Sequence, residues 1–137
     1  MMGDRLAYKE GYKYRVQDDF SIFIELFGHD IVTDYCTLSA NGELTIFKGY
    51  SWDGASKAID TISFRRGSLV HDCLYQLMRE DELPFSCRDK ADKILIAICD
   101  ADGMWKIRQS WVLLGVKTFG ARALEHENLV MFAPEKP

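Results

Sequence analysis

The stretch Ser68–Leu77, SLVHDCLYQL, sets a histidine and an aspartate side by side in the middle of an apolar run. At ~100° per residue, Val70, Cys73, Leu74, Leu77 and Met78 gather on one side, as on a helix that buries one face. His71 and Tyr75, four apart, stack along one edge of that stripe. Asp72 falls beyond them, toward the polar side. The spacing predicts a helix over about Phe64–Glu80, stopped at DELP by Pro84.

Outward from this helix the periodicity changes. In DFSIFIEL, Asp19–Leu26, the residues Phe20, Ile22, Ile24 and Leu26 alternate with Ser21, Phe23, Glu25 and Phe27, a period of two that predicts a strand. DYCTLSANGELTIF, Asp34–Phe47, predicts a hairpin turning at Asn41-Gly42. GYSWDGAS, Gly49–Ser56, reads as a loop. Downstream, a second helix opens at Ser86 with Asp89 as an acidic capping-box partner and closes at Gly103. DADG, Asp100–Gly103, lacks the closing Glu of a calcium loop and reads as that helix's C-terminus. A third helix covers about Met104–Glu127, with Trp105, Trp111, Val112, Val116 and Phe119 as apolar anchors. Trp105 and Trp111, six apart, fall on differing faces, and exposure of one of them for a partner is the alternative to core filling. The expected class is α+β in one domain over residues 1–137. An antiparallel β-meander (1–56, mainly strands and loop) precedes three packed helices (64–127) and a tail (128–137).

Composition narrows the function. A chain of 137 residues with 47% hydrophobic and 28% charged residues has the balance of a globular domain. A net charge of -4 argues against nucleic-acid binding, which needs clustered Lys and Arg. No apolar run approaches the ~20 residues of a transmembrane helix. Cys36, Cys73, Cys87 and Cys99 form no CxxC pair and are expected to be free, mostly buried thiols.

The chemistry concentrates on the two helices around DELPF. On the second, Asp92 lies beside the stripe of Ala91, Ile94, Leu95, Ile98 and Cys99, while Asp89, Lys90 and Lys93 point away. Antiparallel packing across the short connection brings Asp92 toward His71 or Tyr75, with Arg88 four residues before it. A carboxylate on one imidazole nitrogen fixes the tautomer and leaves the other as a base. Asp72 then remains to hold a cation. The alternative is a satisfied structural network that ties the two helices together. Upstream, Trp52 and Asp53 with Arg65 and Arg66 read in two ways: as a substrate-side wall, or as a core-plugging Trp and a turn carboxylate paired with an Arg.

Two resemblances attach to these residues. FKGYSWDGAS (Phe47–Ser56), RRGSLVHDCLYQL (Arg65–Leu77) and RDKADKIL (Arg88–Leu95) resemble, in order and spacing, the WDGAS, HDxLY and RxxAD blocks of a domain-of-unknown-function family. That family comprises small phage and prophage proteins, so the resemblance implies a phage or prophage origin. Lys57-Ala58 stands where a proline often follows the serine. The HDxxY block with a later AD is similar to secreted phospholipases of the A-two type. This second resemblance implies His71 as general base, Asp92 as the carboxylate orienting it, Tyr75 as support and Asp72 as a calcium ligand. Asp53 or the carbonyls of Gly49–Gly54 would add oxygens. The Gly-rich calcium loop of those enzymes is not matched here.

Two function classes follow. One is a small metal-assisted hydrolase of an envelope ester, using a divalent cation, calcium first, with Trp52, Arg65, Arg66 and Arg88 on the substrate side. The other is a non-enzymatic virion or tail accessory, or a protein that binds a host factor. In that class phage structural proteins or a host protein are the partners. The expected location is the cytoplasm of the host bacterium or the phage particle.

Overall fold

The structure, a computed structural model, describes residues 8–9, 14–52 and 62–125, with side chains at 14–52 and 64–117. It is α+β: antiparallel strands come first and three helices follow. The chain divides into two compact units, Met1–Asp53 and Gly54–Pro137.

Among the described residues the first unit holds seven strands in two sheets: β1 (Tyr8–Lys9), β2 (Tyr14–Val16), β3 (Phe20–Phe23), β4 (Ile31–Val32), β5 (Cys36–Leu38), β6 (Glu43–Ile46) and β7 (Ser51–Trp52). The β4–β5–β6 run is a meander, and β3 joins it against β6, giving the order β3-β6-β5-β4. The other sheet has the order β1-β2-β7. Period-two alternation works as read: Phe20, Ile22, Ile24 and Leu26 are buried while Phe23 and Phe27 are exposed. On the opposite face, Ser21 meets its register partner Thr45 through a 2.8 Å hydroxyl hydrogen bond.

The expected hairpin joins β5 to β6. Gly42 takes φ +93° and its amide donates to the Ser39 carbonyl (3.0 Å), while Asn41 keeps a negative φ. The turn is therefore a three-residue loop with only the glycine left-handed. A Cβ on Gly42 would lie 2.4 Å from the Ile24 carbonyl oxygen. One correction concerns the loop at Gly49–Ser56: Ser51 and Trp52 are strand β7, paired with β2 through Arg15 and Tyr14. Two residues are too few to carry a periodicity, so only the non-local pairing defines the strand.

The second unit is α1 (Ile62–Arg79), a 3-10 turn (Phe85–Cys87), α2 (Arg88–Ala101) and α3 (Lys106–Glu125). Arg66 reaches Asp102, Gly67 approaches Leu95 and Cys99, and His71 and Tyr75 reach Asp92. Partners descend α2 as residues ascend α1, so the pair is antiparallel. At Gly67 an added Cβ would meet Leu95 Cδ1 at 2.9 Å and Cys99 Sγ at 3.1 Å, so the helices approach closely there. Phe64, Leu95, Cys99, Met104 and Val112 form a hydrophobic cluster shared by all three helices.

Both α1 and α2 end in the same device. The Glu82 amide donates to Leu77 O and the Asp81 amide to Met78 O; the Met104 amide donates to Cys99 O and the Gly103 amide to Asp100 O. Each is a Schellman ending with a left-handed residue: Gly103 at φ +94° after α2, Asp81 at φ +65° after α1. Helix α1 thus stops before Pro84, which instead precedes the 3-10 turn. No capping box opens α2 either. Its N-cap is Cys87, without a side-chain cap, because the 3-10 turn occupies Ser86. The third-helix anchors also need correction: Val112 is buried and Val116 packs against the cluster, but Trp105 and Trp111 are 78% and 67% exposed. Residue 111 falls outside the arc that Val112 and Val116 turn inward, and Trp105 precedes the helix. Phe119 lies outside the described side chains. All four cysteines are buried thiols outside any disulfide.

Candidate functional site

Helix α1 is buried around most of its circumference: Leu69, Val70, Cys73, Leu74, Leu77 and Met78 have no exposed surface. Its accessible strip carries Arg65, Asp72, Gln76 and Arg79. His71 and Tyr75 lie just inside that strip, deeper than an edge position, at 7% and 4% exposure.

Across from them stands Asp92, with no exposed surface at all. His71 Nε2–H donates to Asp92 Oδ1 at 2.7 Å, and the Tyr75 hydroxyl donates to the same oxygen at 2.8 Å. The imidazole and phenol rings are 4.2 Å apart and tilted by 33°. The i, i+4 relation on one helix puts both donors on one carboxylate oxygen. Asp92 Oδ2 is buried without a hydrogen-bond partner, and among the described residues nothing hydrogen-bonds to His71 Nδ1. Burial, then donation to Asp92, raises the Tyr75 phenol above its ordinary range, with Arg88 acting in the opposite sense. Tyr75 therefore stays a proton donor to Asp92 at any physiological pH.

The other residues singled out in the sequence divide. Asp72 is half-buried next to His71, on the accessible strip. Arg88 is half-buried one turn before Asp92. Arg66 Nε and Nη2 make a two-pronged ion pair with Asp102 at 3.0 and 2.9 Å, which ties α1 to the end of α2. Arg65 is half-buried, and its carbonyl accepts from Ser68 Oγ. Trp52 is 3% exposed in β7 and packs on Tyr14, a core-filling position in the first unit. Asp53 lies outside the described residues.

For a cation, the described residues contain no group of three or more His, Cys, Asp and Glu side chains. Calcium takes six to eight oxygens, and Asp72 alone does not make that cage.

One network escaped the sequence reading. Gln109, buried on α3, donates through Nε2 to Met104 O (2.8 Å) and to Asp100 Oδ1 (2.9 Å), and Lys106 joins the same oxygen at 3.1 Å. The Gln109 hydrogen bond, then Lys106, holds the Asp100 carboxyl below its ordinary range. The only signal was a polar residue at an inward helical position, three before Val112.

No helix among the described residues is long and apolar enough to cross a membrane. No family model, no curated protein and no solved structure matches the chain.

Proposed function

We propose that the protein is a small hydrolase in which His71 is the general base, acting on an ester of a lipid or other cell-envelope component in a phage or prophage setting. One observation carries the reading: Asp92 occupies Nε2 of His71 at 2.7 Å, and no described residue claims Nδ1. A carboxylate that accepts from Nε2–H leaves Nδ1 with the lone pair that removes a proton from water. The hydroxide equivalent adds to the ester carbonyl, and the proton on Nδ1 passes to the departing alkoxide. Asp92 is the positioning residue: its buried charge favours the imidazolium that forms in between. Tyr75 donates to the same oxygen and helps fix the carboxylate. Asp72 lies on the accessible strip beside the base, where a cation ligand would serve this chemistry. Arg65 and Arg88, both half-buried on the two helices that carry the base and its carboxylate, are the substrate-side candidates.

The test is turnover of a panel of short- and long-chain phospholipid and aryl esters by wild type, His71→Ala and His71→Gln, with and without added calcium, while circular dichroism monitors the fold. Loss of turnover in both folded variants supports the reading. Full turnover in His71→Gln, or no turnover by wild type on any ester, ends it.

A second reading rests on the burial of Asp92 and Tyr75. Here the same triad is a brace between α1 and α2, and the protein is a non-enzymatic virion, tail or host-binding component. His71→Ala would then lower stability without any activity to lose.

A further inference from the structure

The turn between β5 and β6 contains a chemically labile pair, Asn41-Gly42. An asparagine before glycine is open to attack by its own backbone, because the glycine amide carries no side chain to hinder its approach. Hydroxide removes the Gly42 amide proton, and the nitrogen adds to Asn41 Cγ. The N–Cγ bond forms as Cγ–Nδ2 breaks, and ammonia leaves with a proton from water, which restores the hydroxide. Water then opens the cyclic imide at either carbonyl and leaves an aspartate or an isoaspartate. In the isoaspartate the main chain runs through the former side chain and is one carbon longer.

One residue restrains both reacting groups. The Gly42 amide donates to Ser39 O at 3.0 Å, which engages the proton that hydroxide has to remove. Ser39 Oγ–H donates to Asn41 Oδ1 and ties down the carboxamide under attack. That hydroxyl is itself fixed, since it accepts from the Glu43 amide at 3.1 Å. Gly42 has no room to swing toward Cγ: it is buried, its carbonyl accepts from the Ile24 amide at 2.8 Å, and a Cβ on it would collide with Ile24 O. Asn41, by contrast, is exposed, so water and hydroxide reach its carboxamide. Solvent and both reactants are present, and only the freedom to meet is withheld.

We infer that Asn41 is a deamidation site kept latent by Ser39, whose carbonyl and hydroxyl hold the nucleophile and the electrophile apart. The reaction then proceeds from a locally opened turn, not from the closed one. Its product does not close again in the same way. The extra backbone carbon displaces Gly42 from its seat against Ile24, and the new carboxylate stands two residues from Glu43. Deamidation is thus a one-way loosening of the β5–β6 turn, independent of any chemistry at His71.

The experiment incubates the full chain in mildly alkaline buffer, with and without urea, and follows position 41 by peptide mass mapping. Folded Ser39→Ala should convert about fivefold faster than folded wild type, the factor expected for one lost hydrogen bond. Ser39→Thr keeps the hydroxyl and should convert at the wild-type rate. Urea should speed the wild type at least about tenfold, and in urea all three chains should react alike. Thr45→Ala removes the hydrogen bond to Ser21 elsewhere in the same sheet and should leave the rate unchanged. Circular dichroism checks that each variant is folded. One reading needs no variant: the wild-type Gly42 amide should be protected from hydrogen exchange at least about tenfold. An unprotected Gly42 amide, or a folded wild type that converts as fast as in urea, overturns the inference. So does folded Ser39→Ala at or below the wild-type rate, which would make the hydroxyl neutral or an aid to attack. Equal acceleration by Thr45→Ala and Ser39→Ala does the same, since the rate would then follow overall stability.

Discussion

Two polar ties join α1 to α2, and they differ in how much water each keeps. At the outer end, Arg66 and Asp102 pair through two parallel hydrogen bonds, with side chains 16% and 21% exposed. Two turns further in, the His71 and Asp92 side chains are 9% and 0% exposed, and Tyr75 shares the carboxylate. The outer pair satisfies both carboxylate oxygens. The inner set crowds two donors onto Oδ1 and leaves Oδ2 with none among the described residues. A brace built only for stability would use both oxygens, because an unsatisfied buried oxygen costs free energy. Among the described residues the inner tie is thus incomplete and the outer one complete.

The comparison breaks most visibly at Asp92. Removing it strands His71 and the Tyr75 hydroxyl in the interior, so Asp92→Ala should lower unfolding stability by about 3–5 kcal/mol in urea titrations. If the loss is no larger than that from Asp102→Ala, the two ties are equivalent and the distinction fails. Gly67, which sits between them, tests how tightly they hold the helices: Gly67→Ala should cost about 1–3 kcal/mol, since the added methyl meets Leu95 and Cys99. Asp102→Ala should cost only about 1 kcal/mol. Its effect should shrink further in 1 M salt, where that of Asp92→Ala does not.

Alkaline titration sharpens the contrast. Burial raises the Cys99 thiol from 9.0 to about 12, and the Tyr75 phenol moves upward from 10.0. Both groups keep their protons in the folded chain after the unfolded chain has released them. Their stabilisation is complete below pH 9 and is lost as pH rises through the folded-state values. Stability should therefore fall above pH 9, and Tyr75→Phe should remove the part that begins near pH 10. The smallest effect is expected at a helix end: Asp81→Gly should stabilise by about 0.5–1 kcal/mol, because glycine takes the left-handed conformation without Cβ strain. Gly103 already occupies the matching position after α2.

Much of this was legible in the amino-acid pattern. Phe20, Ile22, Ile24 and Leu26 announced their buried face, and the run from Val70 to Met78 its helix. The meeting of His71 with Asp92 followed from two stripes joined by a short connection, because an antiparallel helix pair leaves few carboxylates that can face inward. Trp105 and Trp111 misled because size and apolarity suggest core, yet α3 has apolar residues on both faces and only Val112 and Val116 turn inward. Ser86 suggested a cap, but the 3-10 turn claimed that position.

By itself the chain determined its α+β class, the antiparallel hairpin at Gly42, the three helices and the candidates His71, Tyr75 and Asp92, since these depend on local conformation and on periods of two and 3.6. Tertiary structure alone decided that β3 pairs with β6, that β7 pairs with β2, that both donors converge on one oxygen of Asp92, and that Arg66 belongs to Asp102. Those outcomes depend on which surfaces meet across long stretches of chain, and no local pattern encodes the distance between two atoms that only packing brings together.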